Sequence, residues 1–480
     1  MSPETLALTE RTIQCKIHYR KIDRQVDLSA LNELFSALPN PAILGGNIAK
    51  LDGDGFSYWA AEPLEIFESH SNEQDPFNKL RQVLEKYKLQ QTKHNDLPRG
   101  MFCGGWVGYF GYELGRHIER ISETAVDDIK MPLIRLCFYD KVLCYDHKNR
   151  CFWLIALEFE DEADEPVEKL DWLTEKLKEA EHIKIHKQAP ARMENIDLSK
   201  AQCNMDKLYY LETVEKIRRY IYDGIVYQVN FSQRFECDYT TRPIELFHWQ
   251  NQHNPSGYAA YIGTDDFNII STSPEMFITL TDDFISTKPI KGTRNRVIES
   301  NNDSRGINER NFIELVRSEK EQAELNMIID LERNDMARIC RPGTRSVTQP
   351  RTIESYPTVF HAVATVSGQL RPAITFCDIL RAMFPGGSIT GAPKVSAMEI
   401  IDETEPTVRG VYTGSIGYIG VDGNVCLNIA IRTVIVKDNK AYVQTGGGIV
   451  ADSDPQAEWD ETIVKARALL AGIYSVTGKL

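Results

Sequence analysis

Apolar side chains recur every three or four positions in MDKLYYLETVEKIRRYIYDG (205–224). That spacing places them on one face of a helix, and Gly224 suits its C-terminal end. The same period runs through VEKLDWLTEKLKEAEHI (167–183), NFIELVRSEKEQAELNMIIDLERND (311–335) and DPQAEWDETIVKARALLAGIYSV (454–476). In the last of these Asp454 is a suitable cap and Pro455 a suitable first residue. Elsewhere the pattern shortens. VLCYDHKNRCFWLIALEFE (142–160) predicts a hairpin, two apolar runs flanking Asp146-His147-Lys148-Asn149. Residues 258–287 predict short strands separated at Asp265-Asp266 and Asp282-Asp283. Residues 411–448 predict a three-strand meander turning at Asp422-Gly423 and Asp438-Asn439. Strand clusters alternate with long helices without a regular βαβ period, which predicts an α+β fold: antiparallel β-sheets packed as a sandwich core with helices on the outside. KIHKQAPARMENIDLSK (184–200) is polar and aperiodic and reads as a linker. It divides an N-terminal α+β region, 1–190, from a larger region, 191–480, the two sharing one β core.

Composition narrows what such a fold can do. Fifty-five Lys and Arg stand against 69 Asp and Glu, a net charge of −14, with no run of five basic residues. Such a chain repels nucleic acid and anionic membranes, so neither is expected as a partner. An anionic substrate would need specific local cations or a bound metal. The ten cysteines form no CxxC pair, so neither a zinc site nor a disulfide framework is indicated, and a reduced, cytoplasmic protein is expected. The N-terminus lacks the apolar run of a signal peptide, and no uncharged apolar stretch approaches the ~18 residues that span a bilayer.

Several residue groupings could carry chemistry. Glu321 and Glu324 are three apart on one predicted helix, as are Glu458 and Glu461 on another, with Lys465 four beyond. These are either two solvated faces or, if both face one cleft, a carboxylate cluster that requires a cation, for which Mg²⁺ is the hard-donor choice. FPGGSITGAPK (384–394) has the glycine spacing of a phosphate loop, but Ala392 and Pro393 stand where Lys and Ser/Thr are required, so that reading fails. TGGGIVAD (445–452) places Gly446, Gly447 and Gly448 after a strand, either as a flexible loop or as a backbone cradle for a carboxylate. His361 and Arg432 are single polar residues in apolar runs. A buried Arg always needs a partner, and a carboxylate ligand can supply it. Glu275 follows Ser273-Pro274 at a strand edge. Lys291 lies between Pro289, which fixes the backbone, and Gly292, which frees it.

Taken together, YQVNFSQRF (227–235), STSPEMF (271–277), KPIKGTR (288–294), MIIDLERNDMARI (327–339), FPGGSITGAPKVSAMEIID (384–402), GSIGYIG (414–420), IAIRT (429–433) and GGGIVADSDPQAEWDET (446–462) resemble the chorismate-utilising enzymes, in consistent order over about residues 205–475. Within that family the anthranilate synthases carry Ala at the place of Lys291. PIKGT marks the aminodeoxychorismate synthase branch, which aminates chorismate at C4. Members that add water carry a Lys base where this chain has Gln228.

The resemblance implies a set of roles. Lys291 would be a nucleophile at C2 of chorismate and Glu275 the general acid for the leaving C4 hydroxyl. Such an amine must be neutral to attack, against an ordinary lysine pKa near ~10.4. Glu324 and Glu461 would hold Mg²⁺, with Glu321 and Glu458 beside them through water. Gly446–Gly448, Lys465, Gly292 and Thr293 would line the ring-carboxylate side, and Arg432 and Tyr412 would hold the enolpyruvyl carboxylate. His361 matches an active-site histidine of open role. The chain departs from the family where Leu325 follows Glu324 in place of Asn. Residues 41–63 resemble the tryptophan-binding region of relatives without a clean inhibitory motif, so feedback inhibition is not expected. No amidotransferase signature surrounds any cysteine, so a separate glutaminase subunit is implied as the ammonia source. The product would be 4-amino-4-deoxychorismate, a precursor of p-aminobenzoate and folate. The alternatives are anthranilate synthesis and, from another class, a non-catalytic chorismate- or tryptophan-binding regulator.

Overall fold

The computed structural model describes residues 12–45, 55–90, 96–160, 165–185, 196–297, 302–356 and 359–478. The proposed boundary at 190/191 and residues 46–54 of the 41–63 segment lie outside the described residues. The architecture is α+β. One sheet has 13 strands and the other ten, and each draws strands from before residue 160 and from after residue 200. Every pair of named strands is antiparallel except Ile13–Ile22 with Tyr87–Leu89.

Period-two alternation explains the sheet faces. In the strand Cys151–Phe159, Cys151, Trp153, Ile155, Leu157 and Phe159 enter the core between the sheets. Phe152, Leu154 and Ala156 point the other way, into a second core under the helices Leu28–Ser36, Pro166–Ala180, Pro243–His253 and Pro455–Thr477. Burial on both faces makes the strand read as a continuous apolar run. Its hairpin with Lys141–Asp146 forms as the pattern predicts, in the register Asp146↔Cys151.

Helices 207–222 and 455–477 also form as expected, capped by the Asp206 and Asp454 side chains. Two expectations are corrected. The single helix predicted over 311–335 is two, Asn302–Arg317 and Glu319–Ala337. Ser318 separates them because its hydroxyl accepts from the Glu321 amide as an N-cap, with Glu319 and Glu321 favouring the new positive terminus. The 411–448 meander is two hairpins in different sheets. Ser415–Gly420 and Val425–Asn428 pair in the ten-stranded sheet, whereas Thr433–Lys437 and Lys440–Ile449 pair in the other. Both predicted turns hold, with φ of 51° and 58° at Asp438 and Asn439. The chain changes sheets between them, at 429–432.

A buried ion pair braces this region. Arg409 and Glu405, 1% and 2% exposed, meet at 2.7 Å. Arg409 also donates to the carbonyls of Ile389 (3.0 Å) and Asn230 (2.6 Å), while Glu405 accepts from the Ser232 amide and hydroxyl. Among the described residues no helix is long and apolar enough to cross a membrane. Arg409→Met strands the Glu405 charge and two carbonyl acceptors, and is expected to lower unfolding free energy in urea by about 3–5 kcal/mol. A loss under about 1 kcal/mol would contradict a buried, fully engaged pair.

Candidate active site

The site forms where the chain passes from one sheet to the other. Phe267–Ser273 belongs to the 13-stranded sheet and Met276–Thr281 to the ten-stranded one, so Glu275 sits on the crossing. The return crossing at 429–432 lies beside it. Ile429 N donates to Glu275 O at 3.0 Å, and Thr272 N donates to Arg432 O at 3.1 Å. Arg432 itself has a φ of 49°, a conformation unusual for a side-chain-bearing residue. Lys291 lies nearby on the strand Ile290–Asn295, which pairs with Val359–Gln369 through an irregularity between Ile290 and Thr293.

Lys291 and Glu275 face each other electrostatically. Desolvation holds the Lys291 amine below the ordinary lysine range, against the pull of Glu275, Glu324 and Glu461 and with help from Lys465. Burial raises the Glu275 carboxyl, against hydrogen bonding from Ser388, the Lys291 charge, the Ile290 amide (3.3 Å) and Arg432. Both shifts favour the neutral pair, an amine and a carboxylic acid, which is the arrangement for a nucleophile beside a proton donor. Lys291 Nζ donates to the Ser388 carbonyl at 3.1 Å.

Two helices bring four carboxylates to this region, of which Glu324 and Glu461 act on the Lys291 charge. Glu321 and Glu324 come from Glu319–Ala337, and Glu458 and Glu461 from Pro455–Thr477. Repulsion from Glu461 contributes to raising both Glu324 and Glu458, although burial is the larger cause in each. Cations compensate them: Arg294 donates to Glu321 Oε1 at 2.7 Å, Lys465 meets Glu461 at 2.8 Å, and Lys320 is 4.0 Å from Glu324. Glu458 accepts from Ser453 Oγ at 2.6 Å. Among the described residues no three potential ligands are already gathered around a metal-sized point. Yet Glu321 Oε2 is buried without a partner among the described residues, and one carboxylate per helix suits a hard cation that keeps open positions.

The glycine strand lies against these helices. A Cβ at Gly447 would fall 3.1 Å from Glu458 Oε2, and one at Gly448 would fall 2.9 Å from Gln228 Nε2. Gly446 O accepts from Lys465 at 2.8 Å. Gly292, at φ 99°, leaves room for Glu321, whose carboxyl carbon lies 3.0 Å from where its Cβ would be. The three glycines are thus part of a paired strand, Lys440–Ile449, and not a loop.

Several polar groups here lack partners. Gln228 is fully buried, with both amide atoms unpaired among the described residues. His361 Nδ1 bonds Thr293 Oγ1 at 2.8 Å, and its Nε2 is buried and unpaired. Desolvation first, then Arg432, lowers the His361 pKa to about 3, so the ring is neutral. Burial also lowers Arg432, against the attraction of Tyr356 and Glu275, with no acceptor in hydrogen-bond reach of its guanidinium among the described residues. Tyr412 is buried under the Arg409 guanidinium, 5.9 Å from its ring centre. Buried donors and acceptors left open in this way fit a polar ligand. A separate cavity of about 540 Å³, lined by Arg81, Trp106, Phe138, Arg371 and Phe376, contains none of these residues.

Sequence reasoning missed Ser388 and Arg294. Ser388 sits in the FPGGSITGAPK stretch that fails as a phosphate loop, where only tertiary contact reveals its hydrogen bonds to Lys291 and Glu275. Arg294 follows the Lys291 motif directly, but its partner Glu321 lies 27 residues away.

Comparison with known proteins adds a family. Residues 48–471 match the chorismate binding enzyme family. Aminodeoxychorismate synthase component 1 of Salmonella typhimurium is 38% identical over 82% of this chain and 82% of its own length. Anthranilate synthase component 1 of Pseudomonas putida is 37% identical over 85% and 81%. Among solved structures, anthranilate synthase component I from Streptococcus pneumoniae aligns with a TM-score of 0.75 and 30% identity, covering 87% of this chain and 92% of that one. The menaquinone-specific isochorismate synthase from Escherichia coli shares the fold, with a TM-score of 0.69 and 18% identity over 97% and 96%.

Amine-directed acylation read by mass spectrometry tests the Lys291 environment. Half-modification is expected at a lower pH than for the bulk of surface lysines. Glu275→Gln should lower it further, because the Glu275 charge opposes the shift. A Lys291 that reacts only with the surface population would refute a desolvated amine.

Proposed function

Since the chain belongs to the chorismate binding enzyme family, we propose that it is an aminodeoxychorismate synthase component that converts chorismate and ammonia to 4-amino-4-deoxychorismate. Relatives of both C4- and C2-aminating kinds stand at nearly the same identity, so overall similarity does not choose between them. The observation that carries the choice is Lys291, a desolvated amine facing a buried acid at the position where the anthranilate branch has Ala.

In this reading the neutral Lys291 Nζ attacks C2 of the ring. The double bonds shift, and the C4 hydroxyl leaves as water with the proton of Glu275. Ammonia then attacks C4, the bonds shift back, and the C2–N bond to Lys291 breaks. Atoms balance as chorismate plus ammonia giving the amine plus water. The Ser388 carbonyl fixes Nζ before attack, and the neighbouring carboxylates take up the proton that Lys291 sheds. Arg432 and Tyr412 hold the enolpyruvyl carboxylate, His361 Nε2 donates to the substrate, and Gln228 replaces the base that would direct water to C2. Glu324 and Glu461, with Glu321 and Glu458 behind them, would hold Mg²⁺, which supplies charge neutralisation for the ring carboxylate against this acidic chain. The "component 1" names of the relatives imply a second component, here a glutaminase that supplies ammonia.

Mass spectrometry of the product from chorismate, ammonium and Mg²⁺ is the direct test. The expected product keeps the enolpyruvyl group, whereas anthranilate with pyruvate release would replace this reading by its alternative. Glu275→Gln is expected to lower kcat roughly 10²–10⁴-fold, and Lys291→Ala at least as far. Glu324→Gln or Glu461→Gln should raise the half-saturating Mg²⁺ concentration at least the roughly tenfold that even outer-shell partners command. Unchanged Mg²⁺ dependence in both variants would remove the metal assignment.

A further inference from the structure

The helix Glu319–Ala337 carries one acid that the chemistry above does not use. Glu332 is 2% exposed and bonds the turn Gly387–Ile389 at Gly387, one residue from where Lys291 bonds it at Ser388. Its Oε1 accepts from the Gly387 amide at 3.3 Å, and its Oε2 is buried with no partner among the described residues. The helix and the turn are in tight contact: a Cβ at Gly387 would fall 2.5 Å from Leu331 Cδ2 and 3.2 Å from Glu332 Oε1. The charged groups facing Glu332 are Asp335 on its own helix, Lys394 on the helix that follows the turn, and Glu275 across it. Lys394 is engaged with Asp335 at 2.5 Å and with the Met383 carbonyl at 3.0 Å, and forms no ion pair with Glu332. A half-satisfied buried acid costs stability, and Leu331 beside it already supplies the apolar packing.

The turn explains its presence. Ser388 presents its carbonyl to Lys291 Nζ and its side chain to Glu275. Arg409 holds the next carbonyl, Ile389 O, and Thr390 Oγ1 closes the turn on Gly386 O at 2.9 Å. Gly387 N is a further anchor, and Glu332 accepts from it. We propose that Glu332 is a positioning residue: by accepting from the Gly387 amide it fixes the turn through which Ser388 orients both Lys291 and Glu275. The role rests on the reading that those two residues carry the chemistry, and Glu332 itself touches no substrate.

Two pH dependences of opposite sign follow. Burial first, then Asp335, pushes the Glu332 carboxyl up to about 7, against Lys394 and the Gly387 amide. A carboxylate accepts more strongly than a neutral acid, so the turn is held best, and turnover is fastest, above that pH. Stability runs the other way. The folded pKa lies above the ordinary carboxylate value, so the Glu332 contribution is fully present below that value and is lost as pH rises through about 7.

The test uses full-length enzyme with Glu332→Gln and Glu332→Leu, following chorismate consumption with ammonium and Mg²⁺. Expressing each rate as a ratio to wild type at the same pH cancels the titration of ammonia. Glu332→Gln keeps an acceptor that cannot ionise. Its kcat ratio is expected near one at about pH 6 and about threefold lower at about pH 8. Glu332→Leu loses the acceptor, and its ratio should fall about tenfold at about pH 8 with KM for chorismate within about twofold. Its thermal midpoint at that pH should equal or exceed that of wild type, because the buried charge is gone. Ratios that are flat with pH, a loss confined to KM, or a loss that tracks a lower thermal midpoint would each overturn the proposal. Because consumption is measured and not product identity, the ratios stand even if amination proves to occur at C2, and Lys291→Ala separately reports whether that amine is used at all.

Discussion

The amine of Lys291 is surrounded by three carboxylates that would keep it charged, and desolvation still prevails. That balance is the constraint to which the rest of the site answers. It holds only while the carboxylates are partly engaged elsewhere, Glu461 by Lys465 and Glu324 by Lys320, and while burial raises the Glu275 carboxyl. Opening the slot to water would weaken both shifts together, because both are driven first by desolvation. A chemically competent amine therefore depends on a closed, well-braced enclosure more than on any single neighbour.

The enclosure is built where two sheets exchange strands. The chain crosses between them at Glu275 and back at Ile429–Arg432, and the crossings hydrogen-bond to each other. Backbone at such a crossing has no ladder partner of its own, so its polar groups are free to bond across the gap. Arg409 and Glu405 tie the same region to the strand Gln228–Asp238, and the turn Gly387–Ile389 closes one side. Polar groups buried this deeply are costly unless satisfied, and several atoms here have no partner among the described residues: the Gln228 amide, His361 Nε2 and Glu321 Oε2. Their unfilled capacity marks the volume that a polar ligand would occupy.

Charge is arranged on two scales. The chain as a whole carries −14, which opposes an anion. Locally, Lys291, Arg432, Lys465, Lys320 and Arg294 converge on the cleft from four separate elements. Lys465, Lys320 and Arg294 each pair with an acid while Arg432 has no acceptor in reach among the described residues, so the cleft is a partly compensated array and not a simple positive patch. Such an array can exchange a protein carboxylate for a substrate carboxylate with little net electrostatic work, which suits an anionic ligand.

Much of this was legible in the order of residues. Helix and strand periods, the cap at Asp454, the turns at Asp282-Asp283 and Asp438-Asn439, and the pairing of Glu458 with Glu461 follow from spacing alone, because they depend on neighbours within a few residues. The Lys291 motif and its resemblance to a family were equally local. What the order of residues left undecided was set by contacts across long separations. The 311–335 period gave no sign that Ser318 would break the helix, since the apolar spacing continues across it. The 411–448 strands looked like one meander because the hydrophobic pattern of a strand is the same whichever sheet it joins. Only assembly of the two sheets moved Arg432 to a crossing, set Ser388 against Lys291 and left Glu332 holding Gly387. Local sequence determined which elements form and which side chains they display; the packing of the sheets decided which of those side chains meet, because desolvation and hydrogen bonding act between groups that the chain itself keeps far apart.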